Sequence, residues 1–284
     1  MNTPTVPPPQ KRHLQAHFGL TGLPFRKNVA AHQMFDSASQ REAWHALRMW
    51  IEVRGVGLLT AGTGMGKSIT VRRFCTELDE ARYRVWRFGQ APMTPNGFLR
   101  SLSRVLDLPV RRHTADLFDA VRTHLLTFAD THGLHPVLVL DDGEGMRADC
   151  LDLLRRLTAW DLDAEDRLSV LLVGTEDLLA TLRHADLASL RSRITYARQL
   201  RPFSLEDTRN YVRHQLRQAG SAGEVLSDDA VRELYAVAQG APRATNQVVL
   251  QAMIQAAVEG IDRIDARFLQ AVVAAHPLLA RGDR

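Results

Sequence analysis

Cysteine is nearly absent from this 284-residue chain. Cys75 and Cys150 stand alone, too few for a disulfide framework or a four-cysteine zinc site, so a reduced, cytoplasmic setting is the expectation. Long apolar runs are missing too: none approaches the ~18 residues that span a bilayer, and no membrane span is expected. The opening Met1 to Pro9 lacks the basic-then-apolar order of a signal peptide. Acid is missing ahead of Asp36, where Lys11, Arg12, Arg26 and Lys27 occur; the formal charge of +4 sits there, because the remaining basic residues equal the 32 acidic ones. Such an arm is either a solvated leader or a contact for phosphates. Lysine is scarce, with only Lys11, Lys27 and Lys67; every other basic residue is arginine. What remains, 45% hydrophobic and 24% charged residues, is ordinary globular composition and excludes disorder, collagen or coiled coil for the whole chain. At about 150 residues per domain the length suggests two domains or one large one.

The apolar pattern divides the chain. Residues 1–17 are Pro-rich and polar with no helical or strand period, and read as a mobile leader. Residues 38–53 have helical spacing at Ala43, Trp44, Leu47, Trp50 and Ile51. Strands are predicted at 55–60, 83–88, 137–140, 168–173 and 194–200. The intervening helices fall at 67–81, 95–107, 115–131 and 148–159. Strands alternating with helices imply a parallel sheet covered on both faces. After Arg201-Pro202-Phe203 the pattern becomes purely helical (204–219, 227–239, 242–259, 265–275), broken at Gly220, Gly240 and Gly260. The domain boundary is placed near Pro202.

Between the first strand and its helix runs Ala61-Gly62-Thr63-Gly64-Met65-Gly66-Lys67-Ser68, followed by Ile69. Backbone N–H groups of such a loop turn inward onto phosphate oxygens, and the helix N-terminus adds its positive dipole end. Lys67 is placed to reach β- and γ-phosphates, and the Ser68 hydroxyl to bind Mg²⁺. Ala61 stands where the usual pattern has Gly, which a negative φ accommodates. The second element is Val137-Leu138-Val139-Leu140-Asp141-Asp142. Its carboxyl end delivers Asp141 to the ligand crevice of a parallel sheet, where it can hold Mg²⁺, while Asp142 is placed to orient or deprotonate an attacking water. Together the two elements point to a P-loop NTPase.

On these residues the chain resembles the AAA+ ATPases, and within them the ExeA/TniB-like branch of secretion-associated and transposition-helper ATPases. The likeness runs from Phe18 to about Val273. Phe18-Gly19-Leu20 and Pro24-Phe25 resemble the branch's opening motif, and Met34-Phe35-Asp36-Ser37 the lead into its first helix. Ala61–Ser68 and Val137–Asp142 match Walker A and Walker B. The resemblance implies an α/β parallel-sheet P-loop core over 18–202, a helical lid over 203–276, a leader over 1–17 and a tail over 277–284. It implies ATP with Mg²⁺ as cofactors and ATP hydrolysis as the activity. Thr175, after Val173-Gly174, becomes the polar sensor 1 residue. Arg193, with Arg191 as second choice, becomes an arginine finger supplied by a neighbouring subunit. Arg243, in Gly240-Ala241-Pro242-Arg243, becomes sensor 2. Self-association as a ring or filament follows from a finger acting in trans.

One departure stands out. The family usually has Asp-Glu at Walker B and commonly Ala-Gln after it, whereas this chain has Asp141-Asp142-Gly143-Glu144. A carboxylate one bond shorter implies slow hydrolysis. Three settings are carried forward: a DNA-associated ATPase serving a transposase, a secretion ATPase, and a nucleotide switch that scaffolds partners. The first draws on Arg100 and Arg104, one turn apart and set opposite Phe98, Leu99, Leu102 and Val105, with Arg111, Arg112 and His113 beyond; duplex DNA is the partner it implies. The second is weakened by the lack of a transmembrane helix and wall-binding domain after the lid. Other constellations are poor. His13 and His17 have no further ligands to form a metal set. His124, His132 and His135 read as surface residues, Cys75 as a small buried residue, and Trp44 and Trp50 as core or pocket packing.

Overall fold

A computed structural model describes residues 14–26, 33–89, 94–159 and 166–277. Lys11, Arg12, Lys27 and the tail beyond 277 lie outside the described residues. The chain divides into two units: Ala38–Arg201, and Pro202–Arg284 together with the segment up to Ser37. Among the described residues no helix is long and apolar enough to cross a membrane.

The first unit alternates helices and strands: α1 (Ala38–Val53), β1 (Val56–Thr60), α2 (Lys67–Glu77), β2 (Tyr83–Phe88), α3 (Pro95–Val105), α4 (Thr114–His132), β3 (His135–Leu140), α5 (Ala148–Thr158), β4 (Ser169–Gly174), α6 (Glu176–Leu182), α7 (Ala188–Arg191) and β5 (Ile194–Gln199). The strands form one parallel sheet in the order β2-β3-β4-β1-β5. The three inner strands, β3, β4 and β1, are buried at every residue, as near-continuous apolar runs covered by helices on both faces must be. Their side chains alternate between two cores. Leu58, Leu138, Leu140, Val170 and Leu172 meet Phe98, Leu102, Leu117 and Leu154 of α3, α4 and α5. Leu59, Val137, Val139, Leu171 and Val173 meet Trp44, Leu47, Trp50 and Phe74 of α1 and α2. The edge strand β5 is largely exposed; Arg198 and Arg201 both pair there with Glu42 of α1, a charged edge that resists pairing with another sheet.

Two side chains depart from expectation here. Val105 is 38% exposed, because the buried stripe of α3 runs Phe98, Leu99, Leu102 and on to Leu106; 100° per residue carries Leu106, not Val105, back to the core. His135 is 8% exposed, not a surface residue. It opens β3, donates to or accepts from Ser169 Oγ at 2.8 Å, and burial holds its pKa down at about 4.

The second unit is helical: α8 (Leu205–Gln218), α9 (Asp228–Ala238), α10 (Pro242–Glu259) and α11 (Ala266–Ala275). Ser204 and Asp207 form a reciprocal capping box at the start of α8, satisfying two of the N–H groups that a helix start leaves bare. Residues 14–17 are also helical, and Leu14, Leu20 and Phe25 are buried with Tyr211, Val212, Leu216 and Ala252 in this unit's core. The backbone confirms the attachment, with Thr21 N–H donating to Ala219 O at 2.8 Å. The sequence assigns 14–17 to the leader and Phe18–Phe25 to the sheet domain; the packing of the described residues groups both with the helices. Scattered apolar side chains without a period give no hint of which core they enter. Gly240 takes φ +73°, and a Cβ there would lie 2.9 Å from Phe203 N and closer still to Phe203 O, so only glycine fits.

Candidate functional site

The carboxyl ends of β1, β3 and β4 gather most of the residues singled out from sequence. The strand order sets β4 between β1 and β3. The loop after β1 and the Asp pair after β3 therefore lie two strand spacings apart, about 10 Å, with Thr175 after β4 between them. Sequence alone could not supply that order, because it is a property of long-range pairing.

The loop Ala61–Gly66 leads into α2. Ala61 is fully buried and has no positive φ, so the missing glycine is accommodated; its N–H donates to Gly174 O at 3.2 Å. Gly64 and Gly66 take φ of +77° and +93°, the left-handed region that glycine enters without penalty. Gly66 is the N-cap of α2 and, as a glycine, supplies no side-chain cap; a helix start of this kind turns its first N–H groups and positive dipole end towards an anion. Lys67, 9% exposed, folds back so that its Nζ donates to Ala61 O at 3.0 Å and Gly62 O at 3.3 Å. Ser68 is exposed and Ile69 half-buried. A residue the sequence reading missed, Gln40, closes the other side: a Cβ on Gly66 would come within 2.7 Å of its Nε2. A buried glutamine on the apolar stripe of α1 is the signal that was available.

At β3, Asp141 is half-buried and its Oδ1 accepts the Asp142 N–H at 3.0 Å. Asp142 is exposed, with φ +55° and ψ +40°, a left-handed conformation in which Asp is among the best tolerated residues after glycine. It begins a 3₁₀ turn, Gly143–Gly145. Glu144 on that turn reaches the neighbouring strand: its Oε2 accepts the Thr175 N–H at 3.1 Å. Thr175 Oγ1 is buried and has no hydrogen-bond partner.

Within the sheet unit, two arginines are not gathered there. Arg193 precedes β5, and its carbonyl accepts the N–H of Val56 at the start of β1. In a parallel sheet this is the edge opposite the loop, about 17 Å away along the five residues of β1. Arg191 spends its guanidinium on Leu182 O and His184 O, at 2.7 and 2.6 Å. Arg243 is exposed in the first turn of α10, in the helical unit. On α3, Arg100 is half-buried and Arg104 exposed, and Arg111, Arg112 and His113 are exposed. Cys75 and Cys150 are held up at about 11 by burial, which keeps both as thiols rather than nucleophiles. Among the described residues no three His, Cys, Asp or Glu side chains are arranged to hold a metal ion by themselves.

Residues 51–182 match the AAA domain family. General secretion pathway protein A of Aeromonas hydrophila is 29% identical over 250 residues, which cover 87% of this chain and 45% of that protein; the chain thus spans less than half the length of this relative. Among solved structures, Cdc6p from Pyrobaculum aerophilum superposes with a TM-score of 0.61 at 19% identity, covering 88% of this chain and 68% of that one. Drosophila ORC bound to DNA gives 0.65 at 15%, covering 96% and 69%. These structural likenesses show the fold: a five-stranded parallel-sheet core with a helical carboxyl-terminal region.

Proposed function

We propose, for a chain that belongs to the AAA+ proteins of the ExeA-like branch, that it binds ATP with Mg²⁺ and hydrolyses it. The observation that carries this reading is the convergence of Lys67, Asp141, Asp142 and Thr175 on one edge of the sheet, beside an uncapped helix start. The donor set fits the cofactors. One hydroxyl, Ser68, and one carboxylate, Asp141, suit a Mg²⁺ that takes its other oxygens from phosphate and water. When bound, Mg²⁺ neutralises charge that builds on the transferring phosphoryl group. The chain's own residues then divide the work. The amides of Gly62 to Ile69 line the phosphates, with Thr63 and Met65 in the same loop. Lys67 Nζ exchanges its two carbonyls for phosphate oxygens. Asp142 orients the attacking water and takes its proton, and Thr175 Oγ1 faces the reacting phosphate. Arg193, on the far edge of its own sheet, serves the site of a second copy, so turnover requires self-association as a ring or filament. Arg243 serves the nucleotide from the lid.

The process that this ATPase drives is read from two directions. The secretion setting is supported by the relative from Aeromonas hydrophila. A DNA-associated helper of a transposase is supported by the exposed Arg104 on α3, by the exposed Arg111, Arg112 and His113 beyond it, and by the fold shared with ORC bound to DNA. Both are tested by ATP turnover with and without duplex DNA, alongside Lys67→Ala and Arg193→Ala. Both variants are expected to be inactive. Stimulation by DNA that falls steeply with salt selects the transposition setting, and none selects the other. Full turnover in Lys67→Ala sinks the ATPase reading.

A further inference from the structure

Glu144 has no role in the reading above, yet its side chain ties the turn after β3 to the end of β4. Its carboxylate accepts the Thr175 N–H at 3.1 Å. Thr175 is the N-cap of α6 and supplies no side-chain cap of its own, so the carboxylate satisfies a bare helix-start amide from another segment and complements the helix dipole. The surroundings leave this contact little freedom. A Cβ on Gly174 would come within 2.8 Å of Glu144 Oε2 and 2.7 Å of Leu178 Cδ2; one on Gly143 would come within 3.0 Å of Leu178 Cδ2 and 3.1 Å of Val173 O. Two glycines and Leu178 thus let the turn sit directly against the β4–α6 junction. Within that junction Thr175 Oγ1 is buried with no partner, and an orphaned hydroxyl of this kind calls for a group from outside the protein.

We infer that Glu144 is the positioning residue of this site: it clamps the Thr175 backbone so that the unpartnered hydroxyl is held for the nucleotide, and it is not the general base. The kinetic part of the inference rests on the ATPase reading; the clamp itself does not. Glutamine keeps an acceptor oxygen and loses the charge, so it separates the two roles.

The experiment compares Glu144→Gln, Glu144→Ala and Asp142→Ala in the full chain. Steady-state ATP turnover is measured with Mg²⁺, and residue-resolved amide exchange at Thr175 without nucleotide. Glu144→Gln is expected to keep kcat within about threefold of the parent and to keep the Thr175 amide protected. Glu144→Ala is expected to lower kcat about 10- to 100-fold with KM for ATP little changed, as a small displacement of a reacting group does. It also speeds exchange at Thr175 about tenfold, the loss of one charge-assisted hydrogen bond. If Glu144→Gln is as inactive as Asp142→Ala, Glu144 is the base and the inference is wrong. If Glu144→Ala matches the parent in Thr175 exchange, the clamp does not exist. A parent with no turnover at all overturns the ATPase reading, and the exchange arm still decides the clamp.

Discussion

Asp142→Glu is the perturbation with the sharpest expected result. The side chain gains one C–C bond, moving the carboxylate about 1.5 Å towards the reacting water. A misplacement of about 1 Å can cost 10²-fold in rate, so the longer side chain is expected to raise hydrolysis by roughly 10- to 100-fold. The backbone opposes the change. Asp142 sits at φ +55° and ψ +40°, where an L-residue other than Gly, Asn or Asp is penalised by about 1–2 kcal/mol. A loss of about 1 kcal/mol lowers the melting midpoint by about 2–4 °C for a unit of this size. Activity and stability should therefore move in opposite directions. The assay is single-turnover hydrolysis, with protein in excess over labelled ATP, paired with thermal melts of the parent, Asp142→Glu and Asp142→Ala. Two results refute the reasoning. One is a parent rate already near a typical enzyme's ~10 s⁻¹ that vanishes in Asp142→Ala. The other is an Asp142→Glu variant no faster than the parent while Asp142→Ala is inactive, which means reach is not limiting.

Four further outcomes are expected. Gly240→Ala introduces a Cβ against the Phe203 backbone at a positive φ, with no side chain to swing aside, and should destabilise the helical unit by roughly 2–4 kcal/mol; a melt unchanged within 2 °C, on the order of half a kcal/mol, contradicts this. His135 is held at about 4 by burial, with a smaller push from Arg54, so the unfolded chain takes its proton first; stability is complete above about pH 6.5 and falls as pH drops towards 4, by about 2 kcal/mol between pH 7 and 5. Urea midpoints at the two pH values should show that loss in the parent and not in His135→Asn, and equal slopes in both would dismiss it. Arg191→Ala removes two hydrogen bonds to carbonyls and should cost about 1–2 kcal/mol of stability with turnover intact. Arg193→Ala should be silent alone and regain turnover when mixed with Lys67→Ala, each supplying what the other lacks; mixtures that stay silent at every ratio count against a finger acting between copies.

Much of the core was legible because its signals are local. Val137–Leu140 and Leu168–Val173 are apolar runs that only a doubly covered strand explains, and Gly64-Met65-Gly66-Lys67 fixes both backbone shape and charge within a few residues. The limits between the carboxyl-terminal helices followed from glycines such as Gly220 and Gly260. What stayed hidden is non-local or too short to have a period. The insertion of β4 between β1 and β3 depends on pairing between segments more than 30 residues apart. The seven residues of α6 give fewer than two full turns from which to read a stripe. Glu144 finds its partner 31 residues away, and nothing in Gly143-Glu144-Gly145 announces it. The left-handed Asp142 was equally invisible, although it offers a physical reason for Asp where the family usually has Glu.

The core that encloses Leu14, Leu20 and Phe25 is completed by side chains such as Phe203, Leu216 and Val273. During synthesis those early apolar groups must wait, without these partners, while the 177 residues between Phe25 and Phe203 are made; closing so long a loop is slow. In that interval they are exposed bait for chaperones or for a neighbouring nascent chain. Damage near the beginning of the sequence should accordingly surface as a loosened bundle near its end.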